Sequence, residues 1–135
     1  MKIADLSVAR YADHQPVADL APGREVVVVT VTSDDGLTGT GFTNAPLTRA
    51  GSTGEMIGNL LSRHIKPLIV GDNPVLTDDL WRKVYGNVVS RLGRRGMLMG
   101  CLAAVDFAVW TSKPERLACP CLNCLAVIVN AFRPT

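Results

Sequence analysis

Residues 2–11 alternate loosely, with Ile3, Leu6 and Val8 apolar among polar neighbours, which predicts a strand. His14 to Gly23 holds Pro16, Pro22 and Gly23 and reads as a loop. Arg24 to Ser33 contains VVVVTVT, a β-branched run with little helix preference. It predicts a central strand buried on both faces. Asp34-Asp35-Gly36 follows, and Asp-Gly between two β-like runs predicts a type I′ hairpin turn. Leu37 to Phe42 is the returning strand, so the first third of the chain reads as an antiparallel meander.

The pattern changes after residue 43. Asn44 to Gly51 reads as a loop. Ser52-Thr53-Gly54-Glu55 fits a capping box, with Ser52 as cap and Glu55 reaching back. Met56, Ile57, Leu60 and Leu61 then recur at helical spacing, and the helix is expected to end near His64, before Pro67. Thr77 is the expected cap of a second helix, with Asp78 and Asp79 in its first turn. Leu80, Trp81, Val84 and Tyr85 form its apolar face, with Trp81 and Tyr85 read as core. Arg91 to Gly96 is a basic link. Met97 to Trp110 is a third helix, apolar nearly all round except for Asp106. Such a helix is normally covered on every side. Three strands followed by about three helices make an α+β domain, and the C-terminal stretch reads as irregular.

Composition narrows the function classes. With 47% hydrophobic and 19% charged residues the chain is globular. Its 135 residues allow one domain and cannot hold a (β/α)8 barrel of roughly 250 residues. Fourteen basic residues against 12 acidic ones give a net charge of +2 and no electrostatic reason to expect nucleic acid. No window reaches the ~18 apolar residues of a membrane helix, and charges interrupt the N-terminal stretch where a signal peptide would have its apolar core. A cytoplasmic location is therefore expected, and a disulfide scaffold is not, despite four cysteines.

VVVVTVTSDDGLTGTGF, HIKPLIVGDNP, LW and GRRGMLMGCLAAVDFAVW occur in an order that resembles the N-terminal capping domain of the enolase superfamily. Within it, the mandelate racemase and muconate-lactonizing group is the most similar. The likeness spans residues 1–110 and is most specific over Ala103 to Trp110. Beyond Trp110 the family would continue with Trp-Asp-Ile/Leu-Lys, Leu-Pro-Val and Leu-Leu-Gly-Gly. The chain instead reads TSKPERLACPCLNCLAVIVNAFRPT. Permitted codons can be chosen for these residues such that one G restored after the Trp110 codon gives DIKARTPGLPVPELLGGHRERIPTY. That string carries the family segments in order. The expectation is a shifted reading frame after Trp110, with residues 111–135 out of frame and the chain truncated before its barrel.

The resemblance implies a parent enzyme, a lyase or isomerase, that abstracts a proton α to a carboxylate. Mg2+ would stabilise the enediolate, and the substrate would be a carboxylate or acid sugar. The base and metal ligands would lie on barrel strands, so no catalytic residue, no metal ligand and no turnover are expected in this chain. The capping domain would supply two loops that close over substrate, about 11–22 and 43–52. Tyr11, His14, Phe42 and Asn44 are the candidate substrate contacts. With no barrel over it, the outer face of the helix from Met97 to Trp110 would be open to self-association.

Two other readings stay open: a stand-alone, non-catalytic α+β binding module, and a small zinc protein using Cys119, Cys121 and Cys124, with Cys101 as a fourth ligand. Gly39-x-Gly41 matches the start of a dinucleotide loop, but Asn44 holds the third glycine position, so hairpin glycines are expected. Asp106 is expected to be structural, with Arg94 or Arg95 as a basic partner, and Arg91, Arg94 and Arg95 read as a solvated link. His14 and His64 are lone histidines with surface or satisfied roles.

Overall fold

A computed structural model of the chain describes residues 1–13, 24–48 and 51–112. It is an α+β domain. Strands β1 (Ile3–Asp13), β2 (Arg24–Ser33), β3 (Thr38–Thr48) and β4 (Gly51–Ser52) form one antiparallel sheet in chain order. The expected meander is therefore present, with a short fourth strand added. Three helical runs follow. The first comprises α1 (Thr53–Leu60), a π-helical turn (Leu61–Ile65) and α2 (Lys66–Ile69). The second comprises α3 (Thr77–Val84), a π-helical turn (Tyr85–Val89) and α4 (Ser90–Leu92), and the third is α5 (Met97–Thr111).

The β2 run is central, but only one of its faces is fully covered. Val27, Val29 and Val31 are buried, while Val26, Val28, Thr30 and Thr32 on the other face are half-exposed. On β1, a bulge between Ile3 and Asp5 breaks the alternation and lets both Ile3 and Leu6 reach the core. The hairpin differs from the expected type I′ turn. The Gly36 N–H donates to the Ser33 carbonyl at 3.0 Å, so Asp34 and Asp35 take the central positions. Gly36 follows at φ 84°, where the return to β3 needs a left-handed residue. The Ser33 hydroxyl bonds the Asp35 carboxylate and holds it below the usual carboxylate range.

Helix α5 lies directly on β3. A Cβ at Gly39 would overlap the Ala108 carbonyl, and one at Gly41 would overlap the Ala104 carbonyl. A Cβ at Gly100 would come within 2.7 Å of Thr43 Oγ1. Gly39 and Gly41 lie in the returning strand of the hairpin, as expected, and have a second role there. Gly39 and Gly41 sit on the inner face of β3 and permit a helix backbone to touch a strand backbone. The contact is closed at its end by Thr111, whose Oγ1 accepts from the Thr40 N–H at 2.7 Å and lies 2.9 Å from the Thr40 carbonyl.

The first helix runs past His64 and through Pro67, contrary to expectation. Lys66 donates to the Leu61 carbonyl, five residues back, so the helix is widened just before the proline. Widening gives room to a ring that would otherwise clash with the preceding turn. Ile57, Leu61, Ile65 and Ile69 remain in the core. Gly71-Asp72-Asn73-Pro74 then turns the chain back. Gly71 N–H donates to the Ile3 carbonyl at 2.8 Å, and Ile3 N–H donates to Asp72 at 2.9 Å, which pins the start of β1. Lys66 also reaches Asp5 at 2.6 Å, and its hydrogen bond holds the Asp5 carboxyl low.

On the second helix, Leu76 rather than Thr77 is the cap, and Thr77 is the first helical residue. Leu80 and Val84 are buried. Trp81 and Tyr85 lie one residue further round; Tyr85 still packs, partly buried, against the core, while Trp81 is left at the rim. Trp81 is 39% exposed and stacks on Tyr85 with ring centroids 4.8 Å apart. Arg94 and Arg95 are exposed in the turn between Gly93 and Gly96. Asp106 is half-buried in the groove between α3 and α5, beside Thr77 and Trp81. The tail read as irregular lies outside the described residues. Among those residues no helix is long and apolar enough to cross a membrane.

Two outcomes are expected. Gly41→Ala should lose about 3 kcal/mol in urea unfolding, because a fixed backbone meets the new methyl. Gly86→Ala, where a Cβ meets nothing within 4 Å, should be neutral or gain up to about 1 kcal/mol. Equal losses would contradict the docking of α5. The second concerns Cys101, which is buried and free, with its thiol pushed by burial from 9.0 up to about 11. A raised folded-state value stabilises the fold below pH 9 and loses that contribution as pH rises towards 11. Cys101→Ala should therefore flatten the alkaline fall in melting temperature relative to the parent chain. An unchanged slope would contradict the buried thiol.

Candidate functional site: the loop end of the sheet

Strand register decides which residues meet. Asp13 pairs with Arg24, and Arg24 with Pro46, so residues 14–23 and 49–50 connect strands at the same end of the sheet. The Asp34–Gly36 hairpin is at the opposite end. Tyr11, Val26 and Asn44 lie side by side across three strands, and Ala9, Val28 and Phe42 form the next row. Directly paired residues point to the same face. Tyr11, Phe42 and Asn44 therefore share the outer face near the loop end. Tyr11 and Phe42 are half-buried, and Asn44 is exposed.

His14 lies outside the described residues. Phe42 and Asn44 are strand residues, and the expected loop over 43–52 is corrected. β3 continues to Thr48 because the first residues of β2 still need partners, and β4 pairs back as Leu47 with Ser52 and Thr48 with Gly51.

Beneath this row lies a group that the sequence reading missed. Glu25 points to the inner face and is only 4% exposed. Its cross-strand neighbours are Ala12 and Ala45, which leave it room. The Ser52 hydroxyl donates to its carboxylate, and Arg10 Nη1 stands 3.8 Å away. A Cβ on Gly54 would overlap the carboxylate, so the first turn of α1 rests directly on it. Ser52 caps α1 as expected, accepting from the Gly54 N–H at 3.1 Å. The acid bonded to Ser52 is Glu25, a strand residue, whereas Glu55 is exposed. Thr53 Oγ1 donates to the Pro46 carbonyl at 2.6 Å and ties the helix start to β3. The missed signal was parity: Glu25 has the inward phase of Val27, Val29 and Val31.

Among the described residues, no group of three or more His, Cys, Asp or Glu is placed to hold a metal ion. Mg2+ does not fit the donors at this site. The buried Cys101 thiol is a poor zinc ligand, because ligation needs the thiolate. Cys119, Cys121 and Cys124 lie outside the described residues. What this end of the sheet presents, among the described residues, is a row of side chains on one face, Tyr11, Phe42 and Asn44.

Comparison with known proteins places this geometry. The profile of the family described as "Mandelate racemase / muconate lactonizing enzyme, N-terminal domain" matches residues 12–125. A D-galactonate dehydratase family member of Marinomonas sp. is 30% identical over 99 residues, covering 73% of this chain and 23% of its own length. A D-mannonate dehydratase of Novosphingobium aromaticivorans is likewise 30% identical over 99 residues, with the same coverage. The chain thus spans about a quarter of the length of these curated relatives. Among solved structures, a mandelate racemase/muconate lactonizing enzyme-like protein from Rubrobacter xylanophilus aligns over 87% of this chain and 31% of its own, with TM-score 0.70 and 18% identity. A racemase from Streptomyces coelicolor with bound magnesium aligns over 80% and 30%, with TM-score 0.68 and 19% identity. At these identities the two structures establish the fold alone. The chain belongs to the mandelate racemase/muconate lactonizing enzyme family and comprises its N-terminal domain.

Proposed function

We propose that this chain is the capping portion of an acid-sugar dehydratase or racemase that abstracts a proton α to a carboxylate. The observation that carries this reading is the convergence of two connections, residues 14–23 and 49–50, at one sheet end beside Tyr11 and Asn44. Two connections rooted side by side can close over one ligand and exclude water from it. Tyr11, His14, Phe42 and Asn44 are the proposed substrate contacts. The names of the dehydratase relatives support an acid-sugar substrate. The base and the Mg2+ ligands belong to the barrel of the complete enzyme, which works in solution in the cytoplasm.

The same reading makes residues 111–135 an out-of-frame tail and leaves the 135-residue chain without turnover. It also leaves the aromatic face of α5 uncovered. Phe107 and Trp110 are 39% and 41% exposed, and Trp81 on α3 is 39% exposed. A second copy of the chain can bury that face, which sedimentation at rising concentration reads.

The test is to restore one G after the Trp110 codon and assay the product with Mg2+ against a panel of aldonic acids. The restored enzyme should dehydrate or racemise one of them and lose that activity in EDTA. The 135-residue chain should do neither. Turnover by the 135-residue chain itself would overturn the reading.

A further inference from the structure

Glu25 raises a question that its burial does not answer. Val27, Val29 and Val31 fill the equivalent positions along β2, and a fourth apolar residue would satisfy the core at less cost. Burying a carboxylate costs several kcal/mol unless it is paired, and replacing a buried ion pair with apolar residues is often neutral or stabilising. Stability alone therefore does not account for an acid here. Its position is more informative.

Glu25 stands two residues after the 14–23 connection. Through its carboxylate it holds Ser52, which stands two residues after the 49–50 connection and caps α1. It also faces Arg10, near the other end of the first connection. The carboxylate rests on the start of α1 at Gly54, where the helix dipole favours a negative charge. One buried group thus touches the roots of both connections and the helix that follows them.

We infer that Glu25 is a positioning residue that couples the start of β2 to the start of α1, so that loosening one loosens the other. Its purpose rests on the capping reading, but its geometry does not. The coupling can therefore be measured in the 135-residue chain even if the proposed activity fails.

The test is amide hydrogen exchange, residue by residue, in the parent chain, Ser52→Ala and Glu25→Gln. Ser52→Ala removes a hydroxyl from the second root only. The inference predicts about tenfold faster exchange at Thr53 and Gly54 and also at Val26 and Val27, across the Glu25 carboxylate. Val31 and the α5 amides should stay within about twofold of the parent. Glu25→Gln keeps the shape and an acceptor but loses the charge, and it should open both roots likewise. Exchange that quickens only at Thr53 and Gly54 in Ser52→Ala would overturn the inference, as would a uniform rise at every amide. If Glu25→Gln does not fold, the Ser52→Ala comparison decides alone.

Discussion

The contact on which the rest of the molecule depends is backbone against backbone. α5 lies on β3 where Gly39 and Gly41 offer no Cβ to the carbonyls of Ala108 and Ala104. Its immediate consequence is shape. The inner face of β3 is built from Gly39, Gly41, Thr43 and Ala45, so the helix sinks onto it. The inner face of β2 is built from valines and supports the remaining core. Thr111 then bonds the backbone of Thr40 and finishes the edge that β4 does not reach. A methyl added at either glycine would lift the helix and unseat Leu102, Val105 and Val109 together, since interiors are close-packed.

A sheet held this firmly at β3 fixes where its ends point. The register carries Tyr11, Val26 and Asn44 into one row and puts both connections at one end. The opposite end is tied down by the Asp34–Gly36 hairpin and by the Gly71–Asp72 turn against Ile3. A shallow depression at that end, lined by Asp72, Asn73, Leu76, Asp79, Leu80 and Lys83, is braced by the Lys83–Asp72 pair at 2.7 Å. The molecule thus has a closed end and a presenting end. Glu25 lies where the presenting end meets the helices.

Elements carried by local periodicity were legible in the sequence. The β-branched run of β2, the Asp-Gly turn, the Ser52 cap and the apolar helix from Met97 each follow from neighbours a few residues apart. Features that depend on distant neighbours were not. Gly39 and Gly41 read only as glycines of the hairpin until α5 is placed over them. Pro67 looks like a helix stop until the π-helical turn at Leu61–Ile65 makes room for it. Glu25 looks like one more surface acid until its inward parity and its bond to Ser52 are seen together. Of the four candidate contacts, three share a face because of strand register, which residue type alone does not give.

The functional account joins this domain to a catalytic remainder. Its physical basis is that residues 14–23 and 49–50 join strands at the same end of the sheet, beside Tyr11 and Asn44. On the proposed reading the frame shifts after Trp110, near the end of the helix that docks on β3, while the family profile matches residues 12–125. Resequencing the gene across the Trp110 codon tests the account most directly. It predicts an additional G after TGG and a frame that reads on as DIKARTPGLPVPELLGG towards a barrel. A confirmed TGG-ACN junction, with the family pattern resuming in phase with the present tail, would contradict it.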